Sequence, residues 1–464
     1  MLLTWRERRY RKEHLRQVCH TTLDPMRPGV VRIHLVPPRD TDSNQVPYLV
    51  ILNGQDILPV TFSWAVLLSA FMDALAPNAG AEIPDAAYEA LIAETVKRVK
   101  RVYPRTTDET LRGDLHRMLD AFIKISRGEK PDEDVGALSI FDYAPHMRAP
   151  HRMDLMLSAM TDENGAWHCN QRCVHCYAAG QKLSGVRELD TKDWKKIIDA
   201  CRAACVAQLT FTGGEPTLRQ DLAGLVDYAR FFITRLNTNG VLLTKALCAS
   251  LYEASLDSVQ VTLYSSDEAI HNRLVGARHF GDTVKGIQNA IAAGLNVSIN
   301  TPLCALNADY TETLRFAKEL GVRYFTCSGL IHTGGACTDA SEEMALDPGA
   351  LKEILRAAFD FCAGNGLELN FTSPGCLTEA ELREVGATQI PSCGAALSNM
   401  AVAPDGEVIP CQSWLREGLG NLLVTPFDDI WNSRRCREIR ERSARAEQVC
   451  QLKDNEALQG GKNQ

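Results

Sequence analysis

The stretch "WHCNQRCVHCYAAG", residues 167–180, sets three thiols close together, with three residues between Cys169 and Cys173 and two between Cys173 and Cys176. The spacers are polar or small, and no fourth cysteine lies nearby. A structural zinc site wants four ligands, commonly as two C-x2–4-C pairs, and the second pair is missing here. A cubane [4Fe–4S] cluster is held by thiolates, usually four. Where only three are supplied, one iron keeps an open position that can take a substrate or cofactor. A zinc site, a redox dithiol and three unrelated loop thiols are the competing readings.

Outward from this loop, residues 150–335 alternate strand and helix. The strand candidates are 153–160, 208–214, 232–240, 258–266, 296–303 and 323–331, and the helical patterns fall at 191–205, 219–231, 244–255, 282–293 and 310–320. Such alternation implies parallel strands with helices outside. Six units fall short of a closed eight-unit barrel, so the expected class is α/β, a partial (β/α)6 barrel. Chemistry in such folds collects at the carboxyl ends of the strands. The thiol loop follows the first strand and falls at that end.

Residues 1–150 have another rhythm. "VPYLVILNGQDILPV" (46–60) is two apolar runs around Asn53-Gly54, a type I′ hairpin signal. Three helical patterns follow, one of them with Leu111, Leu115, Met118, Leu119 and Phe122 on one face. A hairpin beside three amphipathic helices is compatible with an α+β, winged-helix-like domain. Residues 127–150 read as a linker. The expected domains are 1–150, 151–345 and 346–464.

The chain has 464 residues, 45% hydrophobic and 23% charged, with a net charge of −8. The acidic balance gives no reason to expect a nucleic-acid partner. No apolar run approaches the roughly 20 residues of a spanning helix. The basic start, "MLLTWRERRYRKEHLRQ", lacks the apolar segment of a signal peptide and reads as a solvated helix face. The expectation is a cytoplasmic chain without a membrane partner. Sixteen cysteines in that setting speak for metal or catalysis over disulfides where they cluster. Cys201 and Cys205 share a helical face with Trp194, Ile197 and Ile198 and read as buried packing thiols. The isolated Cys248, Cys304, Cys327, Cys337 and Cys362 are read the same way.

The spacing Cys169-Asn-Gln-Arg-Cys173-Val-His-Cys176 resembles the C-x3-C-x-aromatic-C signature of the radical S-adenosylmethionine (SAM) superfamily, with His175 in the aromatic position. "TFTGGEP" (210–216) ends the second strand and resembles that family's GGE segment. Gly213 and Gly214 let backbone approach a ligand closely. Glu215 can take a charged hydrogen bond from an ammonium group. The resemblance assigns this segment to the amino group of SAM. It also implies Asn239 near the nucleoside, Thr262 as a SAM contact and Arg273 as a carboxylate partner. The segment around Arg273 departs from the family at Val275, where many relatives carry arginine.

That resemblance implies a mechanism. The open iron chelates SAM, the reduced cluster delivers one electron, and a 5′-deoxyadenosyl radical removes a hydrogen atom from unactivated carbon. An external donor such as flavodoxin or ferredoxin is implied. The sequence offers no acid–base pair, and no catalytic residue is named.

Beyond residue 390, "PSCGAALSNMAVAPDGEVIPCQSWLREGLGNLLVTPFDDIW" resembles the SPASM or shorter Twitch auxiliary-cluster domain of radical SAM maturases. The matching features are Cys393, the Asp405-Gly406 hairpin into Cys411, Gly420-Asn421 and Ile430-Trp431. The resemblance implies one auxiliary [4Fe–4S] cluster on Cys393, Cys411 and Cys450, with Cys376 as fourth ligand and Cys436 as its rival. The chain stops without the further close-spaced cysteines of a full SPASM pattern. The N-terminal domain resembles modules that bind a leader peptide as an added strand. The function so implied is modification of a precursor peptide or protein, with a thioether or carbon–carbon cross-link as the leading reaction. The alternatives are a small-molecule substrate in cofactor or tetrapyrrole biosynthesis, and a non-enzymatic iron–sulfur electron carrier.

Overall fold

The Asn53-Gly54 turn joins β3 (Tyr48–Leu52) to β4 (Asp56–Val60), paired antiparallel with Leu52 opposite Asp56. Both turn residues have positive φ, 49° and 73°, as a type I′ turn requires. The Gln55 N–H closes it onto Leu52 O at 2.9 Å. Two further strands, β1 (Cys19–Leu23) and β2 (Val31–Val36), extend the hairpin to an antiparallel sheet of order β1-β2-β3-β4. Sequence reading missed both. β1, "CHTTL", is polar, and β2 buries Arg32 and His34 beside its apolar residues, which blurs the alternation.

Four helices accompany this sheet: α1 (Trp5–His14), α2 (Phe62–Leu75), α3 (Asp85–Lys100) and α4 (Asp108–Ser126). Thr61 caps α2 by accepting from the Trp64 N–H, which satisfies one otherwise orphaned donor. One apolar core takes Val50 and Leu52 from the sheet, Leu68 and Phe71 from α2, Ile92 from α3, and Leu115 and Phe122 from α4.

The structure, a computed structural model, describes residues 2–23, 31–39, 43–78, 83–132, 140–162, 164–331, 333–338, 343–445 and 449–454. Part of the expected linker, residues 133–139, and the tail beyond residue 454 lie outside the described residues. The chain divides into two units, Met1–Ala149 with Cys201–Gln208, and Pro150–Ala200 with Leu209–Gln464.

In the second unit the six expected strands form as β5 (Arg152–Ser158), β6 (Gln208–Gly213), β7 (Ile233–Thr238), β8 (Ser258–Thr262), β9 (Asn296–Pro302) and β10 (Tyr324–Ser328). A seventh, β11 (Glu368–Phe371), adds in parallel beside β10. Its four residues are too few to show a period. β12 (Asn399–Val402), β13 (Glu407–Ile409) and β14 (Gly420–Asn421) then join the same sheet at its other side, in the order β11-β10-β9-β8-β7-β6-β5-β12-β13-β14. β12 runs parallel to β5, with Met400 opposite Met153.

Parallel strands under helices are commonly apolar on both faces. Here one face is apolar and fully buried, with Val259, Val261, Ile299, Phe325 and Cys327. The other carries half-buried Gln260, Thr262, Ser298, Asn300 and Thr326. Thr326 ties this row together: its hydroxyl accepts from Gln260 Nε2 at 3.1 Å and donates to Asn300 Oδ1 at 2.8 Å. A polar inner face suits a polar ligand.

Among the described residues no helix is long and apolar enough to cross a membrane. Cys201, Cys205, Cys248, Cys304, Cys327 and Cys362 are buried as packing thiols. Cys337 is a correction, because it is exposed at the end of the short 3-10 turn Gly334–Cys337.

Candidate functional site

The thiol loop leaves the carboxyl end of β5 and is pinned from several sides. The Arg172 N–H donates to Val275 O at 3.0 Å and the Val174 N–H to Leu274 O at 2.9 Å, both at the end of helix Glu268–Val275. On another side the Gly335 N–H donates to Cys176 O at 2.8 Å. A Cβ on Gly334 would come to 2.2 Å from Tyr177 O, and one on Gly335 to 2.6 Å from Val174 O. Only glycine lets this turn close on the loop. Sequence reading passed over "TGG" (333–335), although a glycine pair just beyond the sixth strand was the available signal. The loop packs on Met156, Met160, Ala401, Ile409 and Leu415, so residues from β12, β13 and beyond support its floor.

The three thiols face a common region. Burial pushes Cys169 up to about 12, with Glu215 and Cys176 as negative neighbours that add to the shift. Burial raises Cys173 further, followed by repulsion from Cys176 and Cys169. Burial raises Cys176 as well. Such a trio holds its protons until a cation replaces them. Asn170 Nδ2, Gln171 Nε2 and both ring nitrogens of His175 are buried without a protein partner. Buried polar atoms of that kind ask for a ligand. Among the described residues no three His, Cys, Asp or Glu side chains close on a single metal ion. A cubane spreads its thiolates more widely than one ion does, and this donor set fits it. The His175 ring lies 6.5 Å from that of Tyr264, in an aromatic setting.

Gly213 and Gly214 end β6 against the carboxyl end of β5. Gly213 has φ +127°, and a Cβ there would meet Ser158 O at 2.4 Å; one on Gly214 would meet Ala159 O at 2.6 Å. Glu215 is 1% exposed. Its Oε1 accepts from the Thr217 N–H at 3.0 Å, the Thr238 hydroxyl at 2.6 Å and the Thr217 hydroxyl. Its Oε2 accepts from the Asn239 N–H at 2.8 Å. Burial raises its carboxyl, and these donors offset only part of that rise. Protein donors therefore use most of the carboxylate, leaving room for a further donor on Oε2. Asn239, next in the chain after β7, donates from Nδ2 to Asn170 Oδ1 at 2.6 Å. Sequence reading named Asn239 and missed Asn170 and Thr238.

Thr262 ends β8 on the polar face, opposite Asn300. Arg273 stands exposed on helix Glu268–Val275, and its electrostatic neighbour is Cys304. His271 is buried on that helix together with Leu274 and Val275, and it accepts from the Tyr264 N–H at 3.3 Å.

Of the five C-terminal thiols named from the sequence, Cys393, Cys411 and Cys450 come together. Burial raises Cys411, and Cys393 and Cys450 are its next largest negative neighbours. The segment that follows Cys450 is tied in by side chains. Gln451 Nε2 donates to Ile439 O at 3.1 Å and to the Ser443 hydroxyl at 2.7 Å, and Ser443 donates to Ala395 O at 2.7 Å. Cys376 lies against Gly329, with its Sγ 3.0 Å from where a Gly329 Cβ would stand. Cys436 is buried in helix Arg434–Arg445, and Arg440 Nη1 lies 3.7 Å from its Sγ.

Residues 168–317 match the model of the radical SAM superfamily. The mycofactocin maturase MftC of Mycobacterium tuberculosis is 30% identical over 283 residues, covering 59% of this chain and 70% of that protein. The chain belongs to the radical SAM superfamily. It is therefore an enzyme of a class that works with SAM and a [4Fe–4S] cluster. Residues 393–453 match SPASM, an iron–sulfur cluster-binding domain, so this radical SAM chain also carries an auxiliary iron–sulfur region. The Fe-coproporphyrin III synthase of Methanosarcina barkeri is 27% identical over 286 residues, covering 57% of this chain and 71% of that protein. Among solved structures, Streptococcus suis SuiB bound to precursor peptide SuiA shares the fold with a TM-score of 0.57 at 15% identity, covering 85% of this chain and 88% of that one.

Proposed function

We propose that this radical SAM enzyme modifies a side chain of a peptide or protein, forming a thioether or carbon–carbon cross-link. Two relatives support the reading: MftC, named a maturase, and SuiB, whose structure holds a precursor peptide. The observation that carries it is the extent of the SuiB match. Coverage of 85% exceeds what the second unit alone supplies and has to run into the N-terminal sheet and helices.

In this reading Cys169, Cys173 and Cys176 hold the cluster that engages SAM. Gly213 and Gly214 open the space beside β5. Asn239, Glu215 and Thr262 line the SAM side at the carboxyl ends of their strands. Cys393, Cys411 and Cys450 hold the auxiliary cluster, with Cys376 still the candidate for a fourth position. A reduced cluster held by Cys169, Cys173 and Cys176 would supply the one electron that cleaves SAM to methionine and a 5′-deoxyadenosyl radical. The protein's own part is positioning. The Glu215 hydrogen bonds fix the second and third strand ends together, and the polar row of Gln260, Thr262, Asn300 and Thr326 receives polar groups of the substrate. A flavodoxin or ferredoxin serves as electron donor.

Anaerobic co-expression with a short reading frame beside the gene, followed by mass spectrometry of the peptide, tests the proposal. Loss of two hydrogens mapped to one segment supports a cross-link. An untouched peptide, with SAM still cleaved by the enzyme alone, favours the second reading. That reading is a small-molecule substrate such as a tetrapyrrole, and the 27% identity to Fe-coproporphyrin III synthase speaks for it.

A further inference from the structure

We infer that a groove between α1 and the C-terminal end of α3 binds an acidic peptide segment carrying an apolar or aromatic side chain. The inference rests on the peptide reading above and gives it a recognition site. The groove encloses about 250 Å³ and is lined by Trp5, Arg6, Arg9, Glu13, Asp73 and Arg101, among others.

Its walls are braced. The Tyr103 hydroxyl donates to Glu7 Oε1 at 2.9 Å, which joins α1 to the turn after α3. The Tyr10 hydroxyl shares a 3.0 Å bond with the Ser69 hydroxyl of α2. A concavity held from three helices keeps its shape without a ligand, which lowers the ordering cost of binding.

The charges inside do not cancel. Glu13 is paired with Arg9 at 2.9 Å. Asp73 is paired with His14 at 3.1 Å and lies 3.9 Å from Arg98. Arg98 also holds Glu94 at 3.1 Å. Arg6 and Arg101 make no ion pair or side-chain hydrogen bond among the described residues, and both are exposed. The acidic groups are thus already served, and two guanidinium groups remain. Each is a planar fork shaped for a carboxylate. Around them α1 carries Arg8, Arg11 and Lys12, and the end of α3 carries Lys97 and Lys100, on a chain whose net charge is −8. So local a positive field attracts and orients an acidic segment.

Trp5 makes the second half of the argument. It is 70% exposed at the rim, with the Arg9 guanidinium 5.8 Å above its ring. An indole held out in water at a basic groove offers apolar surface for one side chain of the segment, the role aromatic anchors play at interfaces. A nucleic acid fits less well. Its phosphates would meet Glu13 and Asp73, and the chain as a whole repels polyanions. Strand addition at β4 fits less well too. β4 ends the described sheet and carries Pro59, which has no N–H to give a ladder.

Panning a random-peptide phage library against the full-length, cluster-loaded protein tests this without any modification reaction, so its outcome is separate from that of the co-expression experiment. The expected enrichment is in acidic peptides with an apolar or aromatic residue. The best of them, labelled with fluorescein, should bind Arg6→Glu/Arg101→Glu at least about tenfold more weakly, and more weakly as salt rises. Trp5→Ala should weaken it independently. SAM cleavage by the enzyme alone should be unchanged in both variants, which shows that they fold. Enrichment of neutral or basic peptides, affinity indifferent to Arg6→Glu/Arg101→Glu, or tighter binding of a short single-stranded DNA would each overturn the inference.

Discussion

Asn239 donates from Nδ2 to Asn170 Oδ1 at 2.6 Å, and this one bond joins the turn after β7 to the loop that carries the three thiols. The same Asn239 gives its backbone N–H to Glu215 at 2.8 Å. Three strand ends are thereby held in one network, the first through its loop. Asn170→Ala removes the link while leaving every thiol in place. The expected result is full iron content in the loop with SAM bound several-fold more weakly, since a neutral side-chain hydrogen bond is worth about 1 kcal/mol. Iron analysis and SAM titration by calorimetry read the two quantities apart.

Glu215→Gln puts an amide NH2 among donors. Thr217, Thr238 and Asn239 all give hydrogens to this carboxylate, so at least one is left facing another donor in a buried site. The expected cost is about 2 kcal/mol of stability or more, measured by urea unfolding under anaerobic conditions. Wild-type stability in this variant would mean that the carboxylate is not what joins the strands.

Gly214→Ala should be worse tolerated than its size implies, because its Cβ would stand 2.6 Å from Ala159 O. Backbone has to move at β5, beside the thiol loop. Gly281 is the matched control, for nothing lies within 4 Å of its Cβ position. Gly281→Ala should leave the melting temperature unchanged or raise it slightly, while Gly214→Ala lowers it and abolishes SAM binding.

Gln451→Ala unties Cys450 from helix Arg434–Arg445. If Cys450 serves the auxiliary cluster, iron per chain should fall from about eight toward about four, with the reductive cleavage of SAM retained. Loss of iron from both sites, or from neither, would count against this assignment.

Acid should weaken the fold through two buried imidazoles. Burial holds His271 and His151 down at about 4, below the ordinary 6.5. A folded-state value below the unfolded one means that the unfolded chain takes up protons first. Stability is therefore complete above about pH 6.5 and declines as pH falls toward 4, by up to about 3 kcal/mol for each ring. His271→Gln should flatten that decline in a series of melting curves from pH 7 to pH 4.5.

Much of this was legible in the chain itself. The alternation of strand and helix patterns along residues 150–335 placed six strands and their helices, and the strand order placed Cys169, Glu215 and Asn239 at one end of a sheet. What stayed illegible depends on contacts between distant segments. Gly334 and Gly335 look like any loop glycines until their backbone is seen against Val174 and Tyr177. Nothing in "EQVCQLKD" tells that Gln451 ties Cys450 to Ser443. The resemblance assigned Arg273 to a carboxylate, and the structure places it exposed on helix Glu268–Val275 with Cys304 as an electrostatic neighbour. Cys337 looked like packing because the turn that exposes it is set by the glycines before it.

The parallel pairing of β12 with β5 makes the C-terminal region part of the barrel's own hydrogen-bond ladder. A chain cut before residue 393 would expose the backbone amides and carbonyls along β5 as a raw edge, directly beneath the thiol loop. Such edges recruit other chains. Shortened forms of this enzyme should then be found in the aggregated fraction, so loss of activity on truncation says nothing by itself about whether the auxiliary cluster takes part in the chemistry.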